Sequence, residues 1–268
     1  MNRRFAKNAT GLGRLVVRMM VLVSVSLALG GSVRGQNFEW EPMLKKIAAR
    51  QDAAGVARDR SIYRMKISIT RFKKSKNDWK EKIVSRRIST AEIAPNAKGE
   101  IATRLLTDTD KKGRPKKKVN PKDRLTLGTA AFMEALFFPF YPEKILKYEL
   151  ADIKRYKEKG QPALALSFIP KLGIADAPLI EGTGYFLEET GEIVKLEIKA
   201  LVHFEIIDKN LRKLERLEAT VEYAPNRDGV YLPVRAWGRG YAKLKQIKGD
   251  FRFLYEESGH KLSPFYAK

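Results

Sequence analysis

Seven segments in the second half of the chain, at residues 148–153, 163–169, 182–188, 193–201, 214–223, 230–244 and 247–255, read as strands and are joined by short polar turns. Val194, Leu196, Ile198 and Ala200 alternate with Lys195, Glu197 and Lys199, and Leu217, Ala219, Val221 and Tyr223 alternate with Arg216, Glu218, Thr220 and Glu222. A strand with one dry and one wet face belongs to a sheet that is covered on one side only. Short consecutive connections make that sheet an antiparallel meander. Three more strand-like segments come earlier, the clearest at 63–70, where Tyr63, Met65, Ile67 and Ile69 alternate with Arg64, Lys66, Ser68 and Thr70, the others at 82–93 and 100–106. The expected class is α+β, with a curved antiparallel sheet of about 10–11 strands forming a half-barrel. No internal repeat of 20–50 residues is present in the sequence, which excludes solenoids and propellers.

A sheet with one dry face needs a cover, and residues 129–141 supply a candidate. Phe132, Met133, Leu136, Phe137 and Phe140 recur at helical spacing, and Pro139 stops the helix because the residue before a proline is pushed out of the α region. This apolar central helix is expected to close the half-barrel. A first helix is expected over 40–54, with Trp40, Met43, Leu44, Ile47 and Ala48 on one face, Pro42 in the first turn, and Lys45, Lys46 and Arg50 elsewhere.

At the N-terminus Arg3, Arg4, Lys7, Arg14 and Arg18 precede a weakly polar to apolar run over 19–31 and then small residues, the order of a secretory signal peptide. The run is too short to span a bilayer, although an uncleaved anchor is the alternative. Residues 1–35 are therefore read as a leader and 36–268 as a single secreted, periplasmic domain, for which 44% hydrophobic composition provides a full-sized core. The formal net charge is +22, of which six charges lie in 1–35. So basic a surface attracts anionic headgroups, phosphates or nucleic acid without choosing among them. Eight Lys or Arg fall in 111–124 together with Gly113, Pro115 and Pro121, so this stretch is expected to be an exposed, mobile loop. Aromatic residues for base stacking are missing from it, which argues against nucleic acid as the partner.

The catalytic inventory is thin. With no cysteine and only His203 and His260, neither a thiolate nucleophile nor a histidine-rich metal site can be assembled. Both histidines are expected on the surface or in loops. The pairs Glu188–Glu189 and Glu256–Glu257 are strand neighbours that point to opposite faces and so do not form an acid–base couple. No phosphate-cradling glycine loop, nucleophile elbow or His-Glu-x-x-His occurs. A non-enzymatic protein without a cofactor is expected. The strand at 230–244 has small residues Ala236, Gly238, Gly240 and Ala242 on one face, which either leave space for the central helix or a ligand, or let a long strand bend.

The stretch Gly182-Thr-Gly-Tyr-Phe-Leu-Glu-Glu-Thr-Gly-Glu-Ile-Val-Lys-Leu-Glu resembles a hairpin of the LolA/LolB-like periplasmic lipoprotein-carrier superfamily. Gly229-Val-Tyr-Leu-Pro-Val-Arg and Ile247-Lys-Gly-Asp-Phe-Arg-Phe-Leu-Tyr resemble the closing strands of secreted bacterial relatives. The order of leader, first helix, early strands, central helix and meander is similar too, whereas the basic loop has no counterpart. The resemblance implies an incomplete barrel around an apolar cavity that holds acyl chains. On that reading the partner is a lipid or lipoprotein acyl chain, and the cavity and lid are formed by Phe132, Met133, Leu136 and Phe137 with Leu196, Ile198, Leu217, Val221, Phe251 and Phe253. Lys116, Lys117 and Lys118 would meet an anionic membrane surface. Two alternatives are a basic envelope protein that binds a polyanion through the loop and Arg235, Arg239 and Lys243, and a structural interaction module whose concave face is filled by its own side chains.

Overall fold

In a computed structural model of the chain, residues 40–74, 81–96, 100–119 and 126–266 are described. The leader expected at 1–35 and the end of the basic stretch at 120–125 lie outside them. Helix α1 (Trp40–Asp59) leads into β1 (Ser61–Lys74), β2 (Glu81–Pro95) and β3 (Ile101–Asp108). Two short helices follow, α2 (Ala130–Phe137) and α3 (Pro142–Ile145). The meander comes next: β4 (Tyr148–Glu158), β5 (Gln161–Pro170), β6 (Leu179–Leu187), β7 (Ile193–Val202), β8 (Leu214–Pro225), β9 (Tyr231–Lys243) and β10 (Lys248–Leu262).

The ten strands form one antiparallel sheet in the order β3-β2-β1-β10-β9-β8-β7-β6-β5-β4, with β3 and β4 at its open edges. Every neighbouring pair is adjacent in sequence except β1 and β10, which join the first hairpins to the end of the meander from Ser61↔Leu262 to Arg71↔Phe251. The inward face follows the parity of the sequence. Met65 and Ile67 on β1, Phe251 and Tyr255 on β10, Leu217 and Val221 on β8, and Leu196 on β7 are all buried.

Against this face lies α1, which runs five residues past the expected stop. Its buried stripe is Met43, Ile47, Gln51, Ala54 and Arg58, spaced by three or four residues. Two polar side chains thus sit in an otherwise apolar seam. The helix α2 is capped by Thr129, whose side chain accepts a hydrogen bond from the Phe132 N–H. It ends at Phe137, two residues before Pro139, and Pro142 opens α3 at a position that needs no N–H donor.

The basic run is more ordered than its composition suggests. Arg86 N donates to the Lys111 carbonyl, and Thr109 N to that of Ile88, so the chain beyond β3 stays against β2. Asp110 Oδ1 accepts from the N–H groups of Lys112 and Arg114 at 2.8 and 3.0 Å. Buried Asp108 accepts from Arg87 at 2.7 and 2.9 Å, from Ser89 at 2.7 Å and from Lys116 at 2.6 Å. The compensating acids lie just before the run and at its edge, which is why the lysines and arginines alone suggested a loop without structure. Burial pushes the Asp108 carboxyl up, but the hydrogen bonds from Arg87, Lys116 and Ser89 outweigh it and hold the pKa down at about 2. A folded-state pKa below the unfolded one gives stability that is full above about pH 4 and is lost as the pH falls towards 2. Asp108→Asn should therefore cost about 2 kcal/mol at neutral pH and flatten this acid limb. Urea unfolding followed from pH 7 to pH 2 measures both effects.

Candidate functional site

The concave face and the segment that covers it form the candidate site. Phe132, Met133, Leu136 and Phe137 of α2 are all buried, the last two completely. The helix turns these side chains inward because they share one stripe, leaving Ala131 and Glu134 exposed. Phe132 meets Phe204 edge to face with ring centroids 5.6 Å apart, and Phe137 meets Tyr255 at 5.1 Å. Beyond α2, Phe140 sits among Tyr148, Phe168 and Phe186 at 5.8, 4.8 and 5.4 Å. The Tyr223 hydroxyl reaches across from β8 and donates to the Phe137 carbonyl at 2.6 Å, meeting one of the free acceptors at the helix end.

The sheet residues Leu196, Ile198, Leu217, Val221, Phe251 and Phe253 are likewise buried. The glycines of β9 do not leave an open space. Phe253 pairs with Gly238 and Phe251 with Gly240 across the strands, and a Cβ on either glycine would come within 2.8 Å of the facing ring. The same Cβ atoms would lie 2.1 and 2.4 Å from carbonyl oxygens of β8, so close approach of backbone requires glycine at both sites. On β6, Gly184 is covered by Phe186 and Phe140. An enclosed space bordered by Leu44, Ile47, Phe140, Ile145, Leu166 and Phe186 amounts to about 20 Å³, room for one water molecule. Where α2 and Phe140 meet the sheet, the concave face is packed with the protein's own side chains.

A polar knot lies at the end of this interior. Arg58 donates to Glu257 from Nη2 at 2.7 Å and from Nε at 3.1 Å, and both residues are buried. The guanidinium lies 5.1, 5.7 and 5.8 Å from the ring centres of Tyr63, Phe137 and Phe138. The Tyr255 hydroxyl donates to Glu257, and His260 Nε2 lies 3.2 Å from the other carboxylate oxygen with its ring stacked on Tyr63. Burial opposes the Glu257 charge, yet Arg58, His260 and Tyr255 hold its carboxyl below the ordinary range. Sequence reasoning missed this knot, although the inward parity of Phe251, Phe253 and Tyr255 extends to Glu257. His260, expected at the surface, is instead folded into the knot, while His203 occupies a left-handed turn residue (φ 58°) before a short 3₁₀ turn. Glu256, the strand neighbour, points outward to Lys66 at 3.0 Å.

On the outer face of β9, two of the three cations considered for a polyanion are paired with acids. Arg239 pairs with Glu218 at 2.8 Å and Lys243 with Glu215 at 2.6 Å, while Arg235 lies over Trp237, 5.1 Å from its ring centre. Of the lysines at 116–118, Lys116 is taken up by Asp108, while Lys117 and Lys118 are exposed. Among the described residues no group of three or more His, Asp or Glu is arranged to hold a metal ion, and no helix is long and apolar enough to cross a membrane.

No family model matches the chain, and neither does any curated protein. Among solved structures, a DUF1329 family protein from Desulfovibrio piger is similar over 84% of this chain and 93% of its own, at 10% identity and a TM-score of 0.42. A LolA superfamily protein from Nitrosomonas europaea is similar over 82% and 93%, at 14% identity and a TM-score of 0.30. MucB, solved in complex with MucA(peri), is similar over 79% and 94%, at 12% identity and a TM-score of 0.23.

Proposed function

We propose that this chain is a secreted, non-enzymatic carrier that holds a lipid or lipoprotein acyl chain on the concave face of its half-barrel, with residues 129–145 as a plug that gives way to the ligand. The observation that carries this reading is the chemistry of what occupies the interior: Phe132, Met133, Leu136 and Phe137 come from one eight-residue helix and present the hydrocarbon surface that an acyl chain would present in their place. Burying a long acyl chain yields about 0.8 kcal/mol per methylene, and returning four such side chains to water costs about 1.5–3 kcal/mol each. The two sums are of the same order, so the exchange is reversible, as carriage requires. Lys117 and Lys118 are free to approach an anionic membrane, adding about 1 kcal/mol each near its surface.

A packed interior also favours a second reading, a structural module that binds a partner through its outer surface. The test is mass spectrometry of lipids that co-purify with the protein, followed by titration with a fluorescent acyl probe at low and high salt. A carrier retains lipid and binds the probe with an affinity that barely changes with salt. Recovery of no lipid together with no probe binding would sink the carrier reading. Steep weakening with salt would mark the ligand as a polyanion instead.

A further inference from the structure

Gln51 stands in the middle of the buried stripe of α1, 1% exposed, and neither Oε1 nor Nε2 has a hydrogen-bond partner in the protein. Its neighbours one turn away on each side show what it faces. Ile47 borders the small space beside Phe140 and Ile145, and Gly55 lies so close to Tyr141 that a Cβ there would be 2.2 Å from the phenol oxygen. A residue between these two on the same helical stripe faces the 140–145 end of the plug. With the plug in place, this buried amide offers two donors and an acceptor and satisfies none of them within the protein. An unmet amide in such a setting costs the closed state free energy that a ligand can return.

We infer that Gln51 is the polar anchor of the ligand site, binding the carbonyl end of the acyl chain through Nε2 and, where the head group carries a donor, accepting it at Oε1. This rests on the carrier reading and adds to it the orientation of the ligand: the head group lies at α1 beside Tyr141, and the hydrocarbon runs along the floor of the sheet. A primary amide head group matches Gln51 on both counts, because it places an acceptor and a donor side by side.

The test is Gln51→Met, which keeps the length and helix preference of the side chain and removes its polar atoms. Dodecanamide and n-dodecane serve as probes. The variant should bind dodecanamide about tenfold more weakly than the natural protein and n-dodecane at least as tightly. It should also melt at a higher temperature without ligand, since the closed state no longer buries an unmet amide. Equal changes for the two probes, or a lower melting temperature, overturn the anchor and leave the carrier reading intact. Binding of neither probe by the natural protein overturns the carrier reading and the anchor with it.

Discussion

Replacing Glu257 with glutamine should lower the melting temperature by about 10 °C, because it leaves a guanidinium charged and uncompensated inside the half-barrel. Arg58 cannot escape by losing its proton, because a guanidinium stays charged over the whole pH range in which proteins fold. Removing one partner of such a buried pair costs about 3–5 kcal/mol, far more than the net worth of the intact pair. A second change separates the two quantities. Arg58→Met combined with Glu257→Gln removes the stranded charge and should recover most of the loss. A double variant no more stable than the single one would show that the charge is not the cause. The pH dependence has a definite sign. Since the Glu257 carboxyl is held below its ordinary range, its contribution is complete above the unfolded-state value and fades as the pH falls through the folded one. The glutamine variant should lack this part of the acid limb, which unfolding curves from pH 7 downward will register.

The knot also shows where sequence reasoning stops. Strands β7 and β8 were legible because alternation is a local property, written by one dry face and one wet face. The pairing of β1 with β10 was not, since it joins segments some 190 residues apart and depends on the whole sheet curling. For the same reason β10 looked shorter than it is. From Glu256 to Leu262 the strand is almost entirely polar, and its extended form is held by β1, Arg64 pairing with Ser258 and Ser61 with Leu262. The parity that puts Glu256 and Glu257 on opposite faces was readable, but Arg58, the partner of Glu257, lies 199 residues away in the chain. On α1, apolar residues alone define an expected stripe, so Gln51 and Arg58 fell outside it even though their spacing fits. The glycines of β9 were recognised as special, but which rings covered them required the register of β10.

Truncation of Phe137 to alanine decides whether α2 fills the half-barrel or closes it. The side chain is fully buried, its ring meets Tyr255 edge-on, and its carbonyl receives the Tyr223 hydroxyl. Loss of such a ring from a packed core costs about 3–5 kcal/mol, so the unliganded variant should melt about 10 °C lower. That result follows on any reading. What differs is the effect on an acyl probe. If α2 must leave before the ligand enters, the cost falls on the closed state and not on the liganded one, the open fraction rises, and the apparent affinity increases with it. Even a third of the lost stability, expressed in that equilibrium, would tighten binding about tenfold. If Phe137 is core in both states, each loses the same contacts and the affinity stays where it was. Measured well below the melting temperature, a destabilised variant with unchanged probe affinity would mean that α2 does not move, and the acyl chain would then have to be sought outside the concave face.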